Sequence, residues 1–237
     1  MSEQFPATKR TSYVETFDDG PGGWLCWSKP ATDFEPEIRD GVLQTRSPWG
    51  VDPNHAPPGA GYLTLLAYLV TRADGFRRDM GLPNRFIEGG YSRDLTNARL
   101  TVRLRGEVDL KGSQMILLVQ ADASGTTPNM VLTAQPFEIT REWSEQTITL
   151  VPDSAQWVCL GGRHNAPHYG YGPIDEVLRD VNLDIIFILF PLMIVPTTPV
   201  DDIHFGRPHR DYEADQTYLP QGWLEIDTVR IDYPEAR

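Results

Sequence analysis

Near its end the chain reads Gly222-Trp223-Leu224-Glu225-Ile226-Asp227-Thr228-Val229-Arg230-Ile231-Asp232-Tyr233. Leu224 and Ile226 have even numbers, whereas the apolar residues from Val229 onward have odd numbers. Successive side chains of a strand point to opposite faces, so both apolar sets can be buried only if one extra residue lies between them. The stretch therefore predicts a closing strand with a β-bulge near Asp227 and Thr228.

Other segments also show strand patterns. Residues 98–105 alternate strictly between apolar and polar side chains, which predicts a half-exposed strand. Residues 115–119 are continuously apolar, which favours a strand covered on both faces. Further strands are predicted at 42–45, 62–70, 137–139, 145–151 and 182–189, although 62–70 could instead be helical. The clearest helical turn covers 172–179, where a proline and two acids stand near the start.

Length and charge limit the possible classes of protein. A chain of 237 residues can form one β-sandwich domain, so we expect a single domain over 1–237, with residues 1–12 as a flexible N-terminal tail. The net charge of −12 argues against binding to nucleic acid or to an acidic membrane, because those contacts depend on Lys and Arg. No linker or internal repeat divides the chain.

The cellular compartment is predicted from what the sequence lacks. The first residues, 1–6, have no basic start followed by an apolar core, as a secretory signal would. The longest apolar run, 185–195, is too short to cross a bilayer, and a proline interrupts it. The two cysteines, Cys26 and Cys159, lie among large apolar residues and are expected to be reduced thiols. A cytoplasmic protein is therefore predicted.

Four short motifs, taken in order, resemble the galactose-binding-like domain of carbohydrate-binding modules. They are Phe17-Asp18-Asp19-Gly20 with Trp24, Gly41-Val42-Leu43, the segment 141–150, and the segment 224–231. The resemblance implies an all-β protein, a β-sandwich of jelly-roll type with a few short helices in long loops. It also implies a non-catalytic protein that binds a glycan or polyol, although one fold can host many functions.

The same resemblance implies a structural calcium ion between the first and last strands. The matching positions are Glu15, Asp18 and Asp227. Carboxylates and backbone carbonyls are the ligands that calcium takes, in a shell of six to eight oxygens. The alternative is that Glu15 and Asp227 are ordinary exposed strand residues. Such modules are usually secreted parts of larger enzymes, and this chain differs in showing neither a signal nor a catalytic domain.

All five histidines fall in three long connections, 47–61, 161–172 and 196–221. Together with nearby aromatic and charged residues they could form a sugar site, because aromatic rings stack on sugar faces while polar groups bind hydroxyls. The predicted ligand-binding residues are Trp49, His55, His164, His168, Tyr169, Tyr171, Arg207 and His209. The alternative is that the aromatic residues only hold the loops in place.

Two other functions stay open from the sequence. The first is an enzyme, a lyase or hydrolase acting on a sugar or related metabolite, with His168, Tyr169 and Tyr171 as candidates for proton transfer. A transition metal could be held by His164 and His168 with His204 or His209, but no serine-hydrolase or phosphate-loop motif is present. The second is an assembly subunit whose loops contact a protein partner or a second copy.

Overall fold

The fold is a sandwich of two β-sheets, seen in a computed structural model. The structure describes residues 10–27, 36–52, 61–72, 83–123, 125–161, 168–201, 203, 206–208 and 210–235. Strands dominate these residues, and the two α-helices are short: α1 (Arg85–Glu88) and α2 (Ile174–Arg179). The all-β class predicted from the sequence is confirmed.

The first sheet has six strands, and all its pairs are antiparallel. Its strands are β1 (Ser12–Glu15), β3 (Glu37–Arg39), β4 (Val42–Arg46), β7 (Arg99–Asp109), β10 (Ser144–Thr149) and β14 (Gln221–Asp232). The order is β10-β7-β14-β4-β3, and β1 pairs with the second half of β14. Strand β14 therefore lies at the centre of this sheet.

The second sheet has eight strands in the order β11-β9-β8-β13-β6-β2. Two short strands are added at its side, β12 parallel to β9 and β5 antiparallel to β6. The strands are β2 (Trp24–Leu25), β5 (Val51–Asp52), β6 (Tyr62–Val70), β8 (Gln114–Gln120), β9 (Thr127–Leu132), β11 (Trp157–Cys159), β12 (Tyr169–Gly170) and β13 (Asp184–Leu192).

The predicted bulge is confirmed. Along β14 the pairing with β7 shifts by one residue between Ile226, which faces Leu104, and Thr228, which faces Arg103. As a result the apolar residues on both sides of the shift are fully buried: Leu224, Ile226, Val229 and Ile231. They pack into the core between the two sheets, where the rings of Trp24 and Phe187 stack at 5.6 Å.

Most of the other strand predictions are also confirmed, with local differences. Residues 62–70 form a strand, and it is buried on both faces, which explains why its pattern did not separate strand from helix. Around 137–139 the structure has only an isolated bridge between Phe137 and Met115. Here the Gln146 side chain accepts a hydrogen bond from the Glu138 amide, in place of a strand ladder.

The sequence also led to predictions for the N-terminal segment, the two cysteines and membrane crossing. Residues 11 and 12, which the sequence analysis placed in a flexible N-terminal tail over 1–12, belong to the sheet: Ser12 pairs with Asp232, and the Thr11 carbonyl accepts a hydrogen bond from Tyr233. Residues 1–9 lie outside the described residues. Cys26 is buried and Cys159 is half-buried, as their large apolar neighbours in the sequence indicate. Within the described residues, no helix has the length and apolar character that crossing a membrane requires.

Deleting Asp227 tests the role of the bulge. Without the extra residue, either Val229 and Ile231 or the apolar residues before them must turn toward solvent, so we expect loss of the cooperative thermal transition. The control is Asp227→Ala, which keeps the residue count and should change the free energy of unfolding by less than about 1 kcal/mol. Circular dichroism measures both. A deletion variant that unfolds like the control would contradict the assigned role.

Candidate functional site

The three long connections lie at two opposite ends of the sandwich. Strand β13 runs antiparallel to β6, so Asp184 faces Val70 at one end and Leu192 faces Tyr62 at the other. Connections 47–61 and 196–221 adjoin the Tyr62 end. The connection 161–172 adjoins the Val70 end, where β12 pairs with the start of β9. A strand of nine residues separates these ends by about 26 Å, so of the predicted residues that the structure describes, Trp49 and Arg207 adjoin one end and residues 168–171 the other.

At the Tyr62 end, the two predicted residues that the structure describes, Trp49 and Arg207, contact other parts of the protein. The Trp49 ring is 4% exposed and donates a hydrogen bond from Nε1 to Thr45 Oγ1 at 2.8 Å, so it offers no face to a ligand. The backbone amide of Arg207 donates to the Asp211 carboxylate at 2.7 Å. Arg210 pairs with the same carboxylate and, with that amide, lowers the pKa of Asp211 to about 2. His55, His164 and His209 lie outside the described residues, as does His204.

At the Val70 end, three predicted residues do come together. The rings of His168 and Tyr169 are 4.1 Å apart, and Tyr171 is 70% exposed. The Thr127 amide donates to the His168 carbonyl, which fixes this segment beside β9. Gly161 lets the Tyr171 ring lie against the backbone, because a Cβ at that glycine would be 2.8 Å from Tyr171 Cζ. We call His168, Tyr169 and Tyr171 the loop-end cluster.

A second group of polar residues lies on the outer face of the six-stranded sheet, the face turned away from the core. On β7, the inward side chains are apolar, and the side chains between them point outward. A depression of about 400 Å³ crosses four strands of this face. We call it the four-strand depression, and it is lined by Val14, Arg99, Thr101, Arg103, Glu145, Thr147, Thr228, Arg230 and Asp232.

Several of these side chains bind each other. The hydroxyls of Thr101 and Thr147 are 2.8 Å apart across β7 and β10. Arg230 donates to Asp232 at 2.7 Å. Arg103, also in the depression, pairs at 2.8 Å with Asp227 at the bulge. The polar surface is therefore fixed by contacts between strands that are distant in sequence.

Two charged groups in the four-strand depression have no such partner. Within the part of the chain that the structure describes, the guanidinium of Arg99 and the carboxylate of Glu145 make no hydrogen bond or ion pair, and both residues are exposed. Arg99 faces Asp232 on the neighbouring strand, but that carboxylate is held by Arg230. Both groups are free to contact a ligand.

Tryptophans stand beside this surface. The guanidinium carbons of Arg103 and Arg105 lie 4.7 and 4.6 Å from the ring centroid of Trp143. Arg105 also pairs with Glu225, which accepts a hydrogen bond from Gln44. A second depression of about 320 Å³ continues along β4 and β14 and is lined by Gln44, Thr45, Arg46, Ser47, Gly222, Trp223, Leu224 and Glu225.

The sequence analysis did not identify the outer face as a site. The alternation over residues 98–105 does place three arginines and a threonine on one face of a strand, and that was the available signal. The partners on β1, β10 and β14 could not be added to it, because no local pattern shows which strands pair with β7.

Each of the three acids of the predicted calcium site binds a different partner. Glu15 is 2% exposed and turned inward, where its carboxylate accepts hydrogen bonds from Arg85 at 2.6 and 3.0 Å. Asp18 accepts from Thr16, and Asp227 faces outward to its arginine partner. Among the described residues, no three His, Cys, Asp or Glu side chains form a metal-binding group. Calcium binding thus stays a prediction without support from these contacts.

Arg85 itself occupies the position that a cation would take beside Glu15. Besides the carboxylate, its guanidinium donates to the backbone carbonyls of Asp19 and Gly20 at 3.1 and 2.8 Å. Carboxylates and carbonyls are also the groups that calcium binds. Burial, together with the nearby Glu15 charge, raises the pKa of the Tyr13 phenol above its ordinary value. The guanidinium of Arg85, a cation supplied by the protein, therefore joins the first strand to the loop that follows it.

Comparisons with known proteins give distant structural neighbours. No protein-family model matches the chain, and no curated protein matches it. A chain from a study of endo-acting O-glycanases, with which human gut bacteria initiate mucin breakdown, is 10% identical, with a TM-score of 0.42 over 93% of this chain and 98% of that one.

Two further neighbours are more distant still. The L4b domain of human laminin alpha-2 is 9% identical, with a TM-score of 0.35 over 94% of this chain and 98% of that one. The CBM2 module of the evolved Dit protein of Lactobacillus casei BL23 phage J-1 is also 9% identical, with a TM-score of 0.27 over 97% and 99% of the two chains. The neighbours thus include glycan-related β-rich modules, but this level of similarity carries no inference about the function of this chain.

Replacing Arg85 with Met tests its role in stability. The change leaves the buried Glu15 carboxylate without a cation, so we expect a loss of about 3 kcal/mol, the lower end for a broken buried ion pair because Arg85 is a third exposed. The control is Arg93→Met, which breaks the exposed pair with Asp180 and should cost less than about 1 kcal/mol. Urea unfolding measures both, and equal losses would contradict the assignment.

A chelator tests the calcium prediction separately. If calcium binds the folded protein, adding it should raise the Tm and EGTA should lower it, since a ligand of the folded state alone stabilises that state. If Arg85 is the only cation at Glu15, the Tm of the wild-type protein should be the same with calcium and with EGTA. Differential scanning calorimetry on protein stripped of metal decides between these outcomes.

Proposed function

We propose that this protein is a non-catalytic carbohydrate-binding protein that holds a glycan on the outer face of its six-stranded sheet. The four-strand depression is the observation that carries the proposal. Eight of its nine lining residues are polar, and Val14 is the exception. Pockets for apolar small molecules are lined mainly by apolar side chains, so the lining suits a ligand with many hydroxyls instead.

The types of polar group fit such a ligand. Each sugar hydroxyl donates one hydrogen bond and accepts others, so a binding surface needs donors and acceptors close together. The threonine hydroxyls supply both, the guanidinium of Arg99 supplies donors, and the carboxylate of Glu145 accepts. Hydrogen bonds with a charged partner are also stronger than those between neutral groups.

The strands position these groups before any ligand arrives. Each lining residue lies in a hydrogen-bonded strand, and the register between β7, β10 and β14 is continuous through the depression. Groups held on strands lose less conformational freedom on binding than groups on loops. The rings of Trp143 and Trp223 beside the two depressions could add stacking contacts with sugar faces.

The carboxylates of the depression favour binding over hydrolysis. Glu145 and Asp232 are two strand spacings apart sideways and four residues apart along the strands, which places their Cα atoms about 16 Å from each other. Glycosidases that use two carboxyls place those groups about 5 to 9.5 Å apart. Asp232 is also paired with Arg230 at 2.7 Å, so its carboxylate already has a partner on the same strand.

The loop-end cluster supports the alternative of an enzyme. His168, Tyr169 and an exposed Tyr171 are groups that could move protons, and they stand at the end of the sandwich rather than on the outer face. An assembly subunit, binding a protein partner or a second copy, is the remaining alternative. Glycan binding on the outer face and an enzyme at the loop-end cluster differ in where the ligand binds and in whether its mass changes.

The double change Thr101→Val and Thr147→Val tests the binding site. The two hydroxyls contact each other, so removing both should leave stability almost unchanged, but the affinity for a glycan should fall about tenfold because two hydrogen bonds to it are lost. The matched control is Thr149→Val on the same strand β10, outside the depression. An oligosaccharide array identifies the ligand, and calorimetry gives its Kd for each variant.

Three results would contradict the proposal. Loss of glycan binding in Tyr171→Ala, with normal binding in the threonine variant, would place the ligand at the loop-end cluster. A change in ligand mass after long incubation, seen by mass spectrometry and absent in His168→Ala, would show an enzyme. Absence of binding across the array would favour the assembly subunit.

A further inference from the structure

We infer that the four-strand depression selects saccharides that carry an anionic group, a carboxylate or a sulfate, and that Arg99 binds this group. The inference rests on the proposed function, and it concerns the class of glycan. The charged side chains of the depression are distributed unevenly along its length.

The cations of the outer face are almost all neutralised by neighbours. On β7 and β14, Arg103 pairs with Asp227, Arg105 with Glu225, and Arg230 with Asp232. At the edge of the sheet, Arg39 and Arg46 share Glu37. Among the residues that the structure describes on this face, Arg99 is the arginine that lacks a carboxylate.

The reason lies in the local competition for Asp232. Arg99 and Asp232 are cross-strand partners, a position from which they could pair. Arg230, two residues from Asp232 on the same strand, instead makes two contacts with that carboxylate at 2.7 Å. Arg99 thus keeps its planar set of donors free, a geometry that matches a carboxylate or sulfate with two parallel hydrogen bonds.

The opposite end of the depression has the opposite charge. Glu145 faces Arg103 across β10 and β7, but Arg103 is taken by Asp227 at the bulge, so Glu145 keeps its charge uncompensated. The Cα atoms of Glu145 and Arg99 are about 14 Å apart. An anionic group is therefore attracted at the Arg99 end and repelled at the Glu145 end, which fixes the direction of the saccharide.

Because the net charge of the protein is negative, selectivity for an anionic saccharide must come from the depression itself. At −12 the molecule repels anions as a whole, so a preference for an acidic saccharide cannot come from general attraction. It has to come from a cation at the site, and Arg99 is the cation available there. An exposed guanidinium also stays largely hydrated when it binds an anion at the surface. The preference for an acidic saccharide therefore depends on direct contact between Arg99 and the ligand.

The experiment compares saccharides that differ only in charge. Calorimetry is done with trigalacturonate and its ester methylated at all three carboxyls, and with lactose with and without a 6′-sulfate. We expect the wild-type protein to bind the acidic member of at least one pair about tenfold more tightly, the gain expected of a charge-assisted contact. The first pair reports a carboxylate and the second a sulfate.

Variants then assign the preference to Arg99. Arg99→Gln should bind the acidic saccharide and its neutral counterpart with the same affinity, and Arg99→Lys should keep part of the preference. The control Arg39→Gln removes an exposed arginine of the same sheet outside the depression and should bind like the wild-type protein. Because Arg99 has no described ion pair, its variants should keep the wild-type Tm.

The possible failures are distinguishable. Equal affinity of the wild-type protein for charged and neutral members, or a charge preference that survives in Arg99→Gln, overturns the inference but leaves carbohydrate binding intact. Binding of neutral glycans alone from the array does the same. If no saccharide of either kind binds, the proposed function itself fails, and the inference fails with it.

Discussion

The β-bulge in β14 is the constraint on which the rest of the structure depends. Strand β14 pairs with β7 along its whole length and with β4 and β1 on its other side. The shift after Ile226 allows both halves of the strand to bury their apolar residues in one core. Without it, half of the central strand would face the wrong way, and the sheet could not cover the core.

The same bulge shapes the electrostatics of the outer face. It directs the Asp227 side chain to Arg103 while Thr228 takes the cross-strand position opposite that arginine. Arg103 is then unavailable to Glu145, just as Arg230 makes Asp232 unavailable to Arg99. The free carboxylate of Glu145 is thus a consequence of where the extra residue falls, whereas the free guanidinium of Arg99 follows from an ion pair within β14.

The sequence could predict features that are local in the chain and not those that depend on pairing. The change of parity between Ile226 and Val229 was enough to predict the bulge, and alternation was enough for β7. The burial of Trp49 was missed because loop position alone does not say whether a ring packs inward. The outer-face depression needs four strands from both ends of the chain, and the separation of the long loops depends on the antiparallel pairing of β6 and β13.

The two faces of the six-stranded sheet contribute differently to stability. Inward, the buried carboxylate of Glu15 is compensated by Arg85 and by an amide, so this ion pair belongs to the folded core. Outward, side chains such as Arg99 and Glu145 contribute no contact on which the described fold depends. Substitutions on the outer face can therefore change its polar surface at little cost in stability, because exposed charges contribute about 1 kcal/mol or less to folding. Since adjacent residues of one strand face opposite sides, a strand such as β7 can keep its apolar residues while its arginines change.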